Sequence, residues 1–95
     1  MMSEIPKSLP KMRKEDLSRE ILRAGMIAEL DAINLYEQMA AMTDNLDIRK
    51  VLLDIAKEEK THTAEFETLL LRLDMEQVEE NEKGRKEVEE LTGKE

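Results

Sequence analysis

Two long segments of this sequence repeat apolar or small residues at three- and four-residue spacing, with a short stretch rich in Asx residues between them. The first runs from Lys14 to about Met42 or Thr43 through Leu17, Ile21, Leu22, Gly25, Met26, Ala32, Ile33, Tyr36 and Ala40. The second runs from about Asp47 to Leu73 through Ile48, Val51, Leu52, Ile55, Phe66, Leu69, Leu70 and Leu73. That spacing is the buried stripe of a helix, and strands do not produce it. Between the segments lies Thr43-Asp44-Asn45-Leu46-Asp47. Asx side chains bond nearby backbone amides and favour turns and helix N-caps. A connection this short makes the two helices antiparallel neighbours. Asp74 then caps a third, more polar helix over about Met75 to Leu91, weakened in the middle by Gly84. Its few apolar residues (Met75, Val78, Val88, Leu91) suit a helix that packs on an assembly or stays partly mobile. The expected fold is all-α: an antiparallel two-helix hairpin plus a shorter C-terminal helix. Residues 1–13, with Pro6 and Pro10, read as a flexible N-terminal arm, 14–91 as the helical domain and 92–95 as a tail.

A chain of 95 residues makes one small domain with a marginal core of its own. Tyr36 and Phe66 are its only aromatic residues, so association with further copies is expected. With no cysteine, a disulfide framework, a Cys-based zinc site and an iron–sulfur centre are excluded. The net charge of −8 argues against non-specific nucleic-acid binding, which relies on basic patches that displace counterions. No N-terminal apolar run suggests a signal peptide, and no apolar run is long enough to span a membrane. A cytoplasmic protein with no membrane partner is the expectation. One histidine and no cysteine leave no nucleophilic triad, and isolated Gly25, Gly84 and Gly93 make no phosphate loop.

The stripes are interrupted by ionisable residues at three positions. Glu59 and His62, a Glu-x-x-His pair holding the only histidine, replace apolar residues in the second stripe, and Glu29 does the same in the first. Residues one turn apart project from one helix surface, as two ligands to one metal must. An unpaired carboxylate on a core face costs several kcal/mol, so such groups are usually paired or bound to a metal. Counted outward from a turn near residue 45, Glu29 lies about 16 residues away and Glu59 to His62 about 14 to 17. Antiparallel packing therefore sets the three side chains opposite one another. Carboxylates with imidazole suit first-row metals such as Fe(II), Mn(II) or Zn(II). Helical carboxylate-bridged di-iron sites need two lone Glu and two Glu-x-x-His pairs, and this chain supplies half. Two copies would complete a pair of metals, a set that favours metal oxidation over hydrolysis. Bland readings exist for each residue alone: a satisfied core histidine at His62, and at Glu29 a boundary residue or a partner for Arg23 or Lys57. Tyr36, two turns after Glu29, could bond a ligand, accept an electron or simply pack.

The run Ala28-Glu29-Leu30-Asp31-Ala32-Ile33-Asn34-Leu35-Tyr36-Glu37-Gln38, followed by Glu58-Glu59-Lys60-Thr61-His62, resembles the encapsulated ferritins, a ferritin-like family associated with encapsulin nanocompartments. The likeness covers about residues 14–91 and includes the interval from Glu29 to Glu59. The archaeal branch is the most similar; its Glu-Glu-Leu-Thr-Gly stretch precedes a shell domain in some members. The resemblance implies that two chains pair into a ferritin-like four-helix bundle with a di-iron ferroxidase centre at their interface. It implies Glu29, Glu59 and His62 as metal ligands from both subunits, with Tyr36 beside the centre. It further implies a ring-like decamer that oxidises Fe(II) to Fe(III) for iron storage and detoxification inside an encapsulin shell. Of the acidic residues that members place on the approach to the centre, Asp31 is matched, while Ala28 carries no carboxylate. After Leu91 the sequence reads Thr92-Gly93-Lys94-Glu95, without a recognised encapsulin-targeting motif. Three other readings compete: a non-catalytic helical oligomer stapled by zinc or manganese, a rubrerythrin-like peroxidase, and a plain helical adaptor. The absence of cysteine removes the usual electron-transfer module of the second.

Overall fold

The computed structural model of the chain describes residues 13–95 and contains three α-helices and no strand among them: α1 (Lys14–Met42), α2 (Leu46–Leu73) and α3 (Met75–Thr92). The arm expected at 1–13 falls, up to Met12, outside the described residues. The helix limits follow the periodic pattern to within a residue. Helix α2 starts at Leu46, one residue early, because Asn45 is its N-cap: the Asn45 side chain accepts from the amides of Asp47 (3.0 Å) and Ile48 (3.1 Å). Helix α3 extends past Leu91 to Thr92 and stops at Gly93, whose left-handed φ of 69° lets its N–H return to the Glu89 carbonyl. Gly84 does not interrupt it.

Helix α1 ends without a glycine, and its last carbonyls are served from the other side of the turn. Arg49, one turn into α2, donates from Nε to the Ala40 carbonyl (3.1 Å) and from Nη2 to that of Thr43 (2.6 Å). A cation there also complements the negative end of the α1 dipole. The helices then run antiparallel along their whole length, closed by Ala32, Ile33, Ala40, Ala56 and Leu70. Three of these five are alanine, so the axes approach closely. At Gly25 the Phe66 ring fills the space a side chain would take, since a Cβ there would lie 3.0 Å from it.

No large side chain is fully buried among the described residues. The molecule measures 46 × 43 × 18 Å, with a radius of gyration of 16.7 Å. A compact chain of this length would have a radius of about 12 Å. The thin dimension is a single layer of helices, and stable domains bury their apolar faces between two. Ile21, Ile48, Val51, Leu69 and Leu73 are exposed on the hairpin, and Met75, Val88 and Leu91 on α3. Among the described residues, no helix is long and apolar enough to cross a membrane.

Candidate metal centre

Glu29 emerges from α1 into the seam of the hairpin, four residues after Gly25 and three before Ala32. Glu59 and His62 meet it there from adjacent turns of α2. One ligand atom from each of the three lies within 4.8 Å of the others, and no second such group exists among the described residues. His62 Nδ1 is 3.6 Å from Glu29 Oε2 and 3.6 Å from Glu59 Oε1, too long for hydrogen bonds. Donor atoms sharing one first-row metal at 2.0–2.2 Å stand about 3.0–3.5 Å apart. The three atoms therefore surround a gap of roughly metal-ion size.

The burial pattern is one-sided. The Glu29 and Glu59 side chains are each 19 % exposed, whereas His62 is 44 % exposed. Glu29 Oε2 is buried without any hydrogen-bond partner, the one such side-chain atom among the described residues. A buried, unbonded carboxylate oxygen is costly unless something absent from the single chain binds it. Two hard oxygen donors and an imidazole fit a first-row divalent cation, so the donor set and the orphaned oxygen agree. Of the two bland partners for Glu29, Arg23 is otherwise engaged, reaching across to Asp74 (2.7 Å), and Glu29 has no ion pair with Lys57 among those of the described residues.

The neighbours hold this arrangement without entering it. The Thr63 hydroxyl donates to the Glu59 carbonyl (3.0 Å). Lys60, between Glu59 and His62, pairs with Glu37 of α1 at 3.1 Å on the exposed side of the hairpin. Tyr36 lies half-buried two turns along α1 from Glu29. Asp31 is outside the cluster; residues two apart on a helix do not share a face. Sequence reasoning missed Arg49 as the cap of α1 and the Arg23–Asp74 pair. The first was detectable as a cation one turn beyond a helix end that lacks glycine, whereas the second joins positions 51 residues apart.

A protein-family model described as Rubrerythrin matches residues 20–93. A ferritin-like–encapsulin shell fusion protein from Pyrococcus furiosus is 61 % identical over 80 residues, which are 84 % of this chain and 23 % of that protein. An encapsulin nanocompartment cargo protein, EncC of Myxococcus xanthus, is 46 % identical over 67 residues, 70 % of this chain and 51 % of the relative. The chain thus spans about a quarter and about half of the lengths of these two relatives. The crystal structure of the encapsulated ferritin domain from Pyrococcus furiosus superimposes with a TM-score of 0.85 at 53 % identity, covering 97 % of both chains.

Proposed function

The chain belongs to the rubrerythrin family, on its encapsulated-ferritin branch, and on that premise we propose that it is a ferroxidase whose di-iron centre forms between two copies. The observation that carries this reading is the Glu29–Glu59–His62 cluster with its orphaned carboxylate oxygen, open on the His62 side. Three donors from one chain are half of the four-carboxylate, two-imidazole set of helical di-iron sites. A second copy related by a twofold axis beside His62 would supply the other half of that set and cover the exposed edge.

In this reading Fe(II) is the substrate. The carboxylates of Glu29 and Glu59 bind it and offset its charge, and His62 fixes one side of each ion through Nδ1. Each Fe(II) gives up one electron, so two fillings of a two-iron centre supply the four electrons that, with four protons, reduce one dioxygen to two waters. Fe(III), the harder cation, is favoured by oxygen donors. Asp31 is assigned to the approach of iron and Tyr36 to the flank of the centre. The exposed apolar side chains on the cluster's face favour pairing into a four-helix bundle, and a ring-like decamer would cover the rest. The named relatives, a shell fusion and a shell cargo, support an encapsulin shell as partner and its lumen as the working location, with iron storage and detoxification as the role.

The test is aerobic Fe(II) oxidation by metal-free protein, followed by oxygen uptake and ferric absorbance in fractions separated by size. Fast turnover confined to the oligomer, saturating first at about two irons per pair of chains, is the expected result. Glu59→Gln and His62→Ala should each reduce that phase to the protein-free background with the helical signal intact. Tight zinc binding without oxygen consumption would instead mark a structural metal.

A further inference from the structure

Helix α3 leaves the hairpin through a single residue. Asp74 is at once the residue that ends α2 and the N-cap of α3, where its Oδ1 accepts from the Gln77 amide at 3.0 Å. Its other oxygen, Oδ2, accepts from Arg23 Nη2 of α1 at 2.7 Å, and the Asp74 side chain is only 12 % exposed. One helical turn back, Arg19 donates to the Leu73 carbonyl (3.4 Å) and is itself held by Asp16. Two arginines of α1 therefore grip the elbow, although no Cα of α3 comes within 8 Å of one in α1.

Hydrophobic packing does not explain where α3 points. A groove on the hairpin is lined by Met26, Ile27, Leu30, Leu70 and Leu71, and α3 presents Gln77 and Asn81 to it. These two amides bond each other (2.8 Å). The apolar residues of α3, Met75, Val78, Val88 and Leu91, are exposed. A helix that shows amides to an apolar groove and carries its apolar residues elsewhere gains little from that contact. The one-residue linker narrows the direction to the backbone dihedrals of Asp74, φ −137° and ψ 85°, but supplies no contact that holds them there. What remains is the charged grip.

We infer that Arg23 and Asp74 form a latch that sets the angle at which α3 leaves the hairpin and holds its first two turns over the apolar groove. Capping and latching are separable because they use different oxygens of Asp74. Arg23→Gln removes the latch and keeps the cap, and Asp74→Asn keeps a capping oxygen while removing the charge. Asp16, Glu20 and Glu76 line the same recess, so Arg23 and Arg19 are the cations that hold an otherwise acidic elbow together.

The chain has no cysteine, so a pair introduced as Asn34→Cys on α1 and Glu90→Cys on α3, both exposed positions, can be spin-labelled cleanly. Labelled full-length chain is diluted into excess unlabelled protein so that only distances within one chain are read. One narrow distribution is expected for the otherwise wild-type chain. A shifted, widened one is expected for Arg23→Gln and for Asp74→Asn, with the far-UV helical signal unchanged. Combining the two substitutions should widen it no further, as for two members of one interaction. Arg23→Lys should restore much of the narrow peak. An unchanged distribution in Arg23→Gln overturns the latch, whether groove packing or neighbouring copies hold α3 instead. Widening accompanied by loss of helical signal also overturns it, because α3 would then have melted and not swung.

Discussion

Glu29 is the residue at which stability and the proposed metal binding part company. Its Oε2 is buried in the seam with no hydrogen-bond donor, and His62 Nδ1 stands 3.6 Å away, beyond hydrogen-bond reach. An unsatisfied buried polar atom costs about 1–3 kcal/mol. Glu29→Leu fills the same space without that oxygen, so the metal-free protein should become more stable by about 1 kcal/mol. The same variant should lose tight Fe(II) and Zn(II) binding. Thermal unfolding in chelator, compared with unfolding at saturating zinc, reads both effects: the apo midpoint rises and the metal-induced increment disappears. A fall in the apo midpoint would show that Glu29 is satisfied in the protein by something other than a metal. The position was legible in the sequence because two independent regularities met there, a charge breaking an apolar stripe and a register counted across the turn. What could not be read was the one-sided exposure of His62, which depends on how the helices roll about their axes and not on spacing along either one.

Among the elements, the ends of the helices carry most of the local chemistry. Asn45 satisfies two of the free amides at the start of α2. Replacing such a cap by alanine costs about 1 kcal/mol. Asn45→Ala should lower stability by that amount and speed amide exchange in the first turn of α2, leaving α3 unaffected. Asp74 acts at the other end of the hairpin. Its carboxyl is held below the ordinary value of 3.8 by the Gln77 amide that it caps and, next, by Arg23. The unfolded chain therefore binds a proton at Asp74 more readily than the folded chain. The contribution is complete at neutral pH and is lost as pH falls below about 3.8 through the folded-state value. In an acid titration, exchange at the start of α3 should accelerate over that range and Asp74→Asn should flatten the response. Here too the sequence was informative about local features and silent about distant ones. Asn45 and Asp74 are recognisable as caps from residue type and position, and helix α3 needed no more than that. Arg23 acts at a point set by tertiary folding, 51 residues along the chain, and an isolated arginine on a helix carries no mark of its target.

At the scale of the whole molecule, a single layer 18 Å thick has to find its second layer elsewhere. Val51 and Leu69, eleven before and seven after His62, share its helix face and are 59 % and 45 % exposed. They flank the Glu59–His62 pair along α2, so an interface that covers that pair covers them as well. Burying one such side chain is worth roughly 1.5–3 kcal/mol, and each twofold contact buries it twice. Val51→Glu, or Leu69→Glu, should therefore weaken pairing by at least tenfold in dissociation constant without touching Glu29, Glu59 or His62. Sedimentation across a dilution series would read the pairing, and oxygen uptake at the same concentrations would read the chemistry. If the centre is completed by a second copy, oxidation should fall in step with the fraction of paired chains and recover at high protein concentration. Full activity in a variant that sediments as single chains would place all the necessary ligands within one chain. The Glu29–Glu59–His62 cluster would then be a complete site and not half of one.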